Sequence, residues 1–264
     1  MSKTPDGPFL NRLKFELSGL KYLAFEINDN CPLTAVHKEC PRNCDRFPSP
    51  VYVPPIGPVE IAEAANFAID HGFDGWINVH YYNEPLATPA ILQTVLMTVP
   101  RGKFSLWTNG LYLKDVSDAF LKQFVHIMVT IYPETPVDQL ERLMGPDHTN
   151  VTFQRANLDG RAREDITPRF NPHITSCNRL DWELIVDYYG EGHICCGDWR
   201  AEIEIGNIQV DRLEIFFDKW IYAKRKLRRV LSKITQSSFE KGSDTEIPDV
   251  CKLCLTRSPW ISQV

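Results

Sequence analysis

The stretch VEIAEAANFAIDHGFDGWINVHYYNEPLATPAILQTVLMTVPRGKFSLWTN, residues Val59–Asn109, changes its period three times. Val59–His71 repeats its apolar residues at helical spacing, follows Pro58 and runs into Gly72, a helix start and stop. Phe73–Tyr81 then alternates, with Ile77, Val79 and Tyr81 opposing Trp76, Asn78 and His80. Thr88–Thr98 returns to helical spacing and is closed by Pro100, and Lys103–Asn109 is a second strand, ended by Gly110. Helix and strand alternating at these lengths imply βαβ units and a parallel sheet.

The same reading extends outward. Tyr22–Asn28 is a strand, followed by a Cys- and Pro-rich loop over Asp29–Pro58. Asp115–Lys122 and Pro136–Met144 read as helices, and Val125–Tyr132 and Val151–Ala156 as strands. Parallel strands covered on both faces are usually continuous apolar runs, but these alternate. Leu23, Phe25 and Ile27 oppose Glu26 and Asn28. Phe104 and Leu106 oppose Ser105, Trp107 and Asn109. Ile127, Val129 and Ile131 oppose His126, Met128 and Thr130, and Val151 and Phe153 oppose Thr152 and Gln154. One face therefore packs under helices and the other is polar. A flat sheet with one wet face satisfies this pattern, and so does a barrel with a polar lumen. Right-handed crossovers, which leave the helices outside, favour the barrel.

Beyond residue 157 the character changes. Arg161–Asp165 is charged, and Pro168 and Pro172 mark a linker. Trp182–Tyr189 and His193–Cys196 flank a Gly-Glu-Gly and read as a β-hairpin. Asp211–Lys233 is a long amphipathic helix, and Cys251-Lys-Leu-Cys254 follows. The expected architecture is α/β: a partial (βα)6-type barrel over residues 1–165 and a small hairpin-plus-helix domain over residues 166–264.

The chain has 264 residues, 29 Lys plus Arg against 34 Asp plus Glu, and a net charge of −5. That acidic balance argues against a nucleic-acid partner held through its phosphates. Hydrophobic residues make up 43%, ample for a core. The N-terminus lacks an apolar signal-peptide core, and no run approaches the roughly 18 apolar residues of a membrane span. These features lead us to expect a cytoplasmic protein without a membrane partner, in a compartment where disulfides are rare.

In that setting the eight cysteines need another explanation. Cys31, Cys40 and Cys44 lie in the loop after the first strand. Cys177, Cys195 and Cys196 flank the hairpin, and Cys251 and Cys254 form a CxxC. Thiolates grouped on loops can converge on zinc or an iron–sulfur cluster. In the first group His37 could complete a zinc site, or three thiolates could hold a [4Fe–4S] cluster with one iron open. Scattered buried cysteines are the plainest alternative. In the second group, Cys177-x12-Gly190-x4-Cys195 plus the distal CxxC supplies four thiolates and leaves Cys196 as a buried, inert remainder.

These residues resemble the radical S-adenosylmethionine (SAM) superfamily, in particular small members with a C-terminal twitch or SPASM-like extension, over residues 20–257. The resemblance implies that Cys31, Cys40 and Cys44 hold the SAM-binding [4Fe–4S] cluster. The spacing here is Cys-x8-Cys-x3-Cys rather than CxxxCxxC, and Asn43 stands where most members carry an aromatic. Asn83-Glu84-Pro85 looks like the family's Gly-Gly-Glu motif, so Glu84 would receive the methionine amino group. Thr108-Asn109-Gly110 is a common strand ending in the family, and Asn109 and Thr130 are implied ribose or carboxylate contacts. The block at 195–208, a helix and a CxxC resemble an auxiliary-cluster region, with Cys177, Cys195, Cys251 and Cys254 as ligands of an auxiliary [4Fe–4S] cluster.

The implied activity is that of a radical SAM oxidoreductase. SAM is cleaved to a 5′-deoxyadenosyl radical, which abstracts hydrogen from a small polar substrate. The expected outcome is dehydrogenation of a sugar- or aminocyclitol-like alcohol, with a flavodoxin- or ferredoxin-type electron donor. Arg155, His80 and Tyr82 are the candidate catalytic residues, with Gln154 and His126 beside them. A peptide-epimerising or cross-linking enzyme of the same superfamily is the alternative, and a zinc-stabilised binding protein is the alternative from another class. The basic run Lys224–Arg229 reads as a solvated helix face or as a docking site for an acidic donor.

Overall fold

A computed structural model describes residues 7–33, 54–145, 148–155, 177–198, 201–233, 248 and 251. Local chemistry sets the main elements. Pro58 opens a helix whose first turn is closed by Glu60, the carboxylate of which accepts from the Gly57 N–H at 2.9 Å. That helix buries Ile61, Ala62, Ala64, Ala65 and Ala68, a small-residue stripe, and ends at Gly72, where φ is +101°.

In chain order the elements are α1 (Pro8–Gly19), β1 (Tyr22–Phe25), α2 (Pro58–Asp70), β2 (Trp76–Asn78), α3 (Pro89–Thr98), β3 (Lys103–Thr108) and α4 (Asp118–Leu121). They continue with β4 (His126–Ile131), α5 (Val137–Leu143), β5 (Val151–Arg155), α6 (Arg179–Trp182), β6 (Glu183–Val186), β7 (Gly192–His193) and α7 (Leu213–Leu231). The expected helix over Asp115–Lys122 is shorter because Ser117 caps it, its hydroxyl accepting from the Phe120 N–H at 3.2 Å. Helix α1 was not anticipated from the sequence.

The strands form one seven-stranded sheet in the order β5-β4-β3-β2-β1-β6-β7. All neighbours are parallel except β6 and β7, which pair antiparallel through Ile185↔His193 and Val186↔Gly192. The fold is α/β with a largely parallel sheet, as in a partial barrel. The expected hairpin is present, but its first strand joins the main sheet beside β1, with Tyr22↔Glu183 and Phe25↔Val186 in register. One sheet therefore spans both sides of the expected division at residues 165/166.

The alternation read from the sequence is the burial pattern of the sheet. Leu23, Phe25, Ile77, Val79, Phe104, Leu106, Ile127, Val129, Leu184 and Val186 are buried in the main core. Helix α7 adds Phe216, Phe217, Trp220 and Leu227 to the same core. Each such side chain contributes about 1.5–3 kcal/mol on burial. In register, Asn78, Ser105, Met128, Thr130 and Gln154 share the opposite, polar face, and the buried Glu26 and Asn28 follow just past β1.

Candidate active site at the carboxyl ends of the strands

In parallel α/β sheets chemistry gathers where strands end and loops begin. Here that edge is drawn together by two buried carboxylates. Glu26, just past β1, accepts from the Tyr82 N–H at 3.3 Å and the Tyr188 N–H at 3.1 Å, joining the ends of β1, β2 and β6. Glu84 does the same between β2 and β3. Its Oε1 accepts from the Leu86 N–H at 3.0 Å and the Thr108 hydroxyl at 2.8 Å, and its Oε2 from the Asn109 N–H at 2.7 Å.

The turn that aims Glu84 is set by its neighbour. The Asn83 amide oxygen accepts from the N–H of Tyr81, two residues earlier, at 3.0 Å, which folds the Asn83 side chain back over the end of the β2 segment. The Glu84 N–H then donates to the Asn30 carbonyl at 2.7 Å, one residue before Cys31. Asn28 completes the tie, its amide donating to the Glu84 carbonyl at 3.1 Å and to the Thr88 hydroxyl at 2.8 Å. Burial lifts the Glu84 carboxyl to about 7, against the pull of its three hydrogen bonds. Oε2, with one protein partner, keeps an acceptor position for a further donor.

Asn109 follows in the same cluster. Its amide oxygen accepts from the Leu111 N–H at 3.0 Å and its carbonyl from the Thr135 hydroxyl at 2.8 Å. Gly110 adopts φ +82°, and a Cβ there would lie 2.9 Å from Thr135 Cγ2, so glycine is required. Thr130 lies on the polar face one strand further, its hydroxyl accepting from Gln154 at 2.8 Å. His80 is half-buried with its ring 5.9 Å from that of Trp107.

Two expected participants lie elsewhere. His126 sits at the amino end of β4, stacked on Trp76 at 5.1 Å and 3.0 Å from the Thr152 hydroxyl, and burial lowers its pKa. Arg155 pairs with Ile131 and shares the register face of Val151 and Phe153, which points away from Gln154 and the polar face.

Cys31 is half-buried at the end of the β1 loop; Cys40, Cys44, Cys254 and His37 lie outside the described residues. Cys177, Cys195 and Cys251, all half-buried, pack against the main core. Burial pushes the Cys195 thiol well above its ordinary pKa, and nearby Cys196, Glu183 and Cys251 add to the effect. Thiols are soft donors, the kind that suits an iron–sulfur cluster. Among the described residues, no group of three or more His, Cys, Asp or Glu is close enough to hold a metal ion. Cys196 is neither buried nor isolated. It is half-buried, its thiol is 2.5 Å from the Arg179 guanidinium, and its N–H donates to Glu183 at 3.1 Å.

Sequence reasoning did not single out the buried polar cluster beside β6 and β7. His193 is buried, with Nε2 3.4 Å from Asp187 and Nδ1 2.5 Å from the Asp198 carbonyl. Burial alone would lower its pKa, but Asp187 and Asp198 more than offset this and hold it above the usual value. Burial lifts Asp198 itself to about 6. The only sequence signal for this group was an acidic residue at each end of a short apolar strand pair.

No family model and no curated protein matches this chain. Solved structures do. The fold is similar to that of BtrN in complex with AdoMet and 2-DOIA, at 18% identity and a TM-score of 0.60, over 88% of this chain and 92% of that one. It is also similar to selenomethionine BtrN in an open conformation, at 17% identity and a TM-score of 0.56, over 93% of this chain and 98% of that one. No helix among the described residues is long and apolar enough to cross a membrane. At these identities the likeness to BtrN is one of fold, and it extends over nearly the whole chain.

Proposed function

We propose that this protein is a radical SAM enzyme that oxidises a small polar alcohol of the sugar or aminocyclitol kind. The observation that carries this reading is the clasp at the strand ends. Glu84 ties the loop bearing Cys31 to the carboxyl ends of β2 and β3, so a thiolate loop and a buried carboxylate share one edge. The likeness in fold to a protein solved with AdoMet and 2-DOIA supports it.

In this reading Cys31, Cys40 and Cys44 hold the SAM-binding [4Fe–4S] cluster, and Cys177, Cys195, Cys251 and Cys254 hold the auxiliary one within residues 166–264. When bound, these groups and SAM supply a 5′-deoxyadenosyl radical and a sink for the second electron of the oxidation. The chain's own residues do the rest. Oε2 of Glu84 accepts from the methionine ammonium, a charge-assisted bond in a dry setting. Asn109, held by Leu111 and Thr135, would contact the ribose or carboxylate of SAM. Thr130, Gln154 and His80 present hydroxyl, amide and imidazole groups to a hydroxylated substrate on the polar face. The protein works in the cytoplasm, with a flavodoxin- or ferredoxin-type donor.

Anaerobic purification and reconstitution test this function. About eight irons and eight sulfides per chain are expected, with 5′-deoxyadenosine released on adding SAM and dithionite. Replacing Cys31, Cys40 and Cys44 by Ala should abolish that release and leave the auxiliary cluster. Zinc without iron, or release surviving the triple change, would overturn the assignment.

A further inference from the structure

Helix α7 carries six Lys or Arg against two Asp or Glu, in a chain whose net charge is −5. Part of that positive charge is used internally. Lys224 and Arg225 meet Glu16 of α1, and Arg228 meets Asp181 of α6. Lys226 and Arg229 are exposed and make no ion pair among the described residues. Tyr222, Lys226, Arg229 and Lys233 follow at steps of four, three and four residues, so they share one outer stripe. The last turn extends to Lys233, whose N–H donates to the Val230 carbonyl at 3.1 Å. Helix α1 lies alongside and runs the same way, because Arg12 meets Asp218 while Glu16 meets Arg225. Phe15 of α1 is 75% exposed and Tyr222 of α7 is 69% exposed, each within one turn of an ion pair that joins the two helices. Among the described residues they are the exposed Phe, Tyr and Trp side chains.

Exposed aromatics beside unpaired cations have the make-up of a protein interface, where aromatic and Arg side chains are enriched. The unpaired charges set the sign of the partner, which presents carboxylates. Other occupants are disfavoured. A lipid surface takes up a helix through its apolar face, and that face of α7, with Phe216, Phe217, Trp220 and Leu227, is already in the core. A nucleic acid is held through many phosphates, and a net charge of −5 opposes its approach. A second copy meeting this face with its own sets like charge against like.

We propose that the outer face of α1 and α7, centred on Phe15, Tyr222, Lys226 and Arg229, docks a small acidic electron-transfer protein. The inference rests on the radical SAM reading and adds to it the place where the carrier binds. In that reading one electron enters for each SAM cleaved to methionine and the 5′-deoxyadenosyl radical. One electron leaves when the substrate radical is oxidised and loses its proton. A carrier that gives the first and takes back the second stays in balance over the cycle. Encounters of this class are small, transient and steered by charge. At the edge of the face, Arg228 meets Asp181 of α6, a helix that begins two residues after Cys177.

Two charge reversals in the reconstituted protein test the inference. One joins Lys226→Glu to Arg229→Glu on the face. The other joins Lys114→Glu to Lys122→Glu, exposed residues near α4, and changes net charge equally. The probe is purified flavodoxin, with its affinity read by calorimetry at about 25 and about 250 mM salt. Release of 5′-deoxyadenosine is driven in parallel by reduced flavodoxin and by dithionite. The face pair should weaken binding about tenfold at low salt, and much less at high salt, with flavodoxin-driven release falling in step. Its dithionite-driven release should be unchanged, and the α4 pair should alter binding by less than about twofold. Tyr222→Ser should weaken binding at both salt concentrations. Equal effects of the two pairs, or binding indifferent to both, would overturn the inference. So would phosphatidylserine vesicles that sediment the parent protein but not the face pair, since the occupant would then be a lipid surface. A parent protein that releases no 5′-deoxyadenosine with dithionite would instead overturn the assigned function.

Discussion

Glu84 carries an ionisable group where water does not reach, and this has a measurable consequence. Its folded pKa of about 7 lies above the ordinary carboxyl value because burial outweighs three hydrogen bonds. Between about pH 4.5 and 7 the folded protein therefore keeps a proton that the unfolded chain has released. The linkage sign follows: this contribution to stability is complete below about pH 4.5 and is lost as pH rises through about 7, up to about 3 kcal/mol in all. Glu84→Gln cannot titrate, so that slope should vanish from urea midpoints measured across the range. The variant should also be less stable by about 1–2 kcal/mol, because its amide must set a donor against the Asn109 N–H or surrender the Thr108 and Leu86 bonds. An identical pH slope in both proteins would show that Glu84 is not the group responsible.

At the scale of elements, the strands were legible because burial on one face imposes a period of two on the sequence. Ile77 and Val79 are buried while Asn78, between them, joins the polar face, as the alternation required. The same rule excluded Arg155 from the face of Gln154, since successive strand residues point to opposite sides. The register agrees with that rule: Arg155 pairs with Ile131 on the face of Val151 and Phe153. The partners of Glu84 were not legible. The Asn83 turn selects them, and the turn brings together residues that are unrelated by any sequence period. Asn28 tests how much this tie between elements matters. Its side chain makes three hydrogen bonds, to Asn30 N at 2.9 Å, the Glu84 carbonyl and the Thr88 hydroxyl. At about 1 kcal/mol each, Asn28→Ala should cost about 3 kcal/mol, seen as a lower urea midpoint at an unchanged slope. If the strand-end clasp holds SAM in place, the variant should also bind SAM more weakly than its loss of stability alone explains. A cost below about 1 kcal/mol would mean that β1 and the 84–88 turn hold together without it.

Across the whole molecule, the first and last helices described are clamped by charge. Glu16 of α1 meets Lys224 and Arg225 of α7, and Asp181 meets Arg228. Lys224 is only 7% exposed on its side chain and lies 4.8 Å above the Trp220 ring. Most of the run Lys224–Arg229 is the exposed basic face that the sequence suggests, but Lys224 is turned inward and, with Arg225, meets Glu16 about two hundred residues away, a separation no local pattern reveals. Burial pushes the Glu16 carboxyl up, but the hydrogen bonds and charges of Lys224 and Arg225 outweigh it and hold the pKa below its ordinary value. The clamp is therefore fully present above about pH 4.5 and is lost as pH falls through the folded value. Removing one partner leaves the other charge buried, so the two halves are not equivalent. Glu16→Ala strands Lys224 with only Asp181, 3.8 Å away, and should cost about 3 kcal/mol. Lys224→Met keeps the packing on Trp220, and Glu16 keeps Arg225 at 2.8 Å, so its cost should be smaller, about 1 kcal/mol. Both differences should shrink in acid, where Glu16 is protonated. Equal costs at neutral pH, or a larger one for Lys224→Met, would mean that α1 is held to α7 by its apolar residues Leu13 and Leu17 and not by the charge pair.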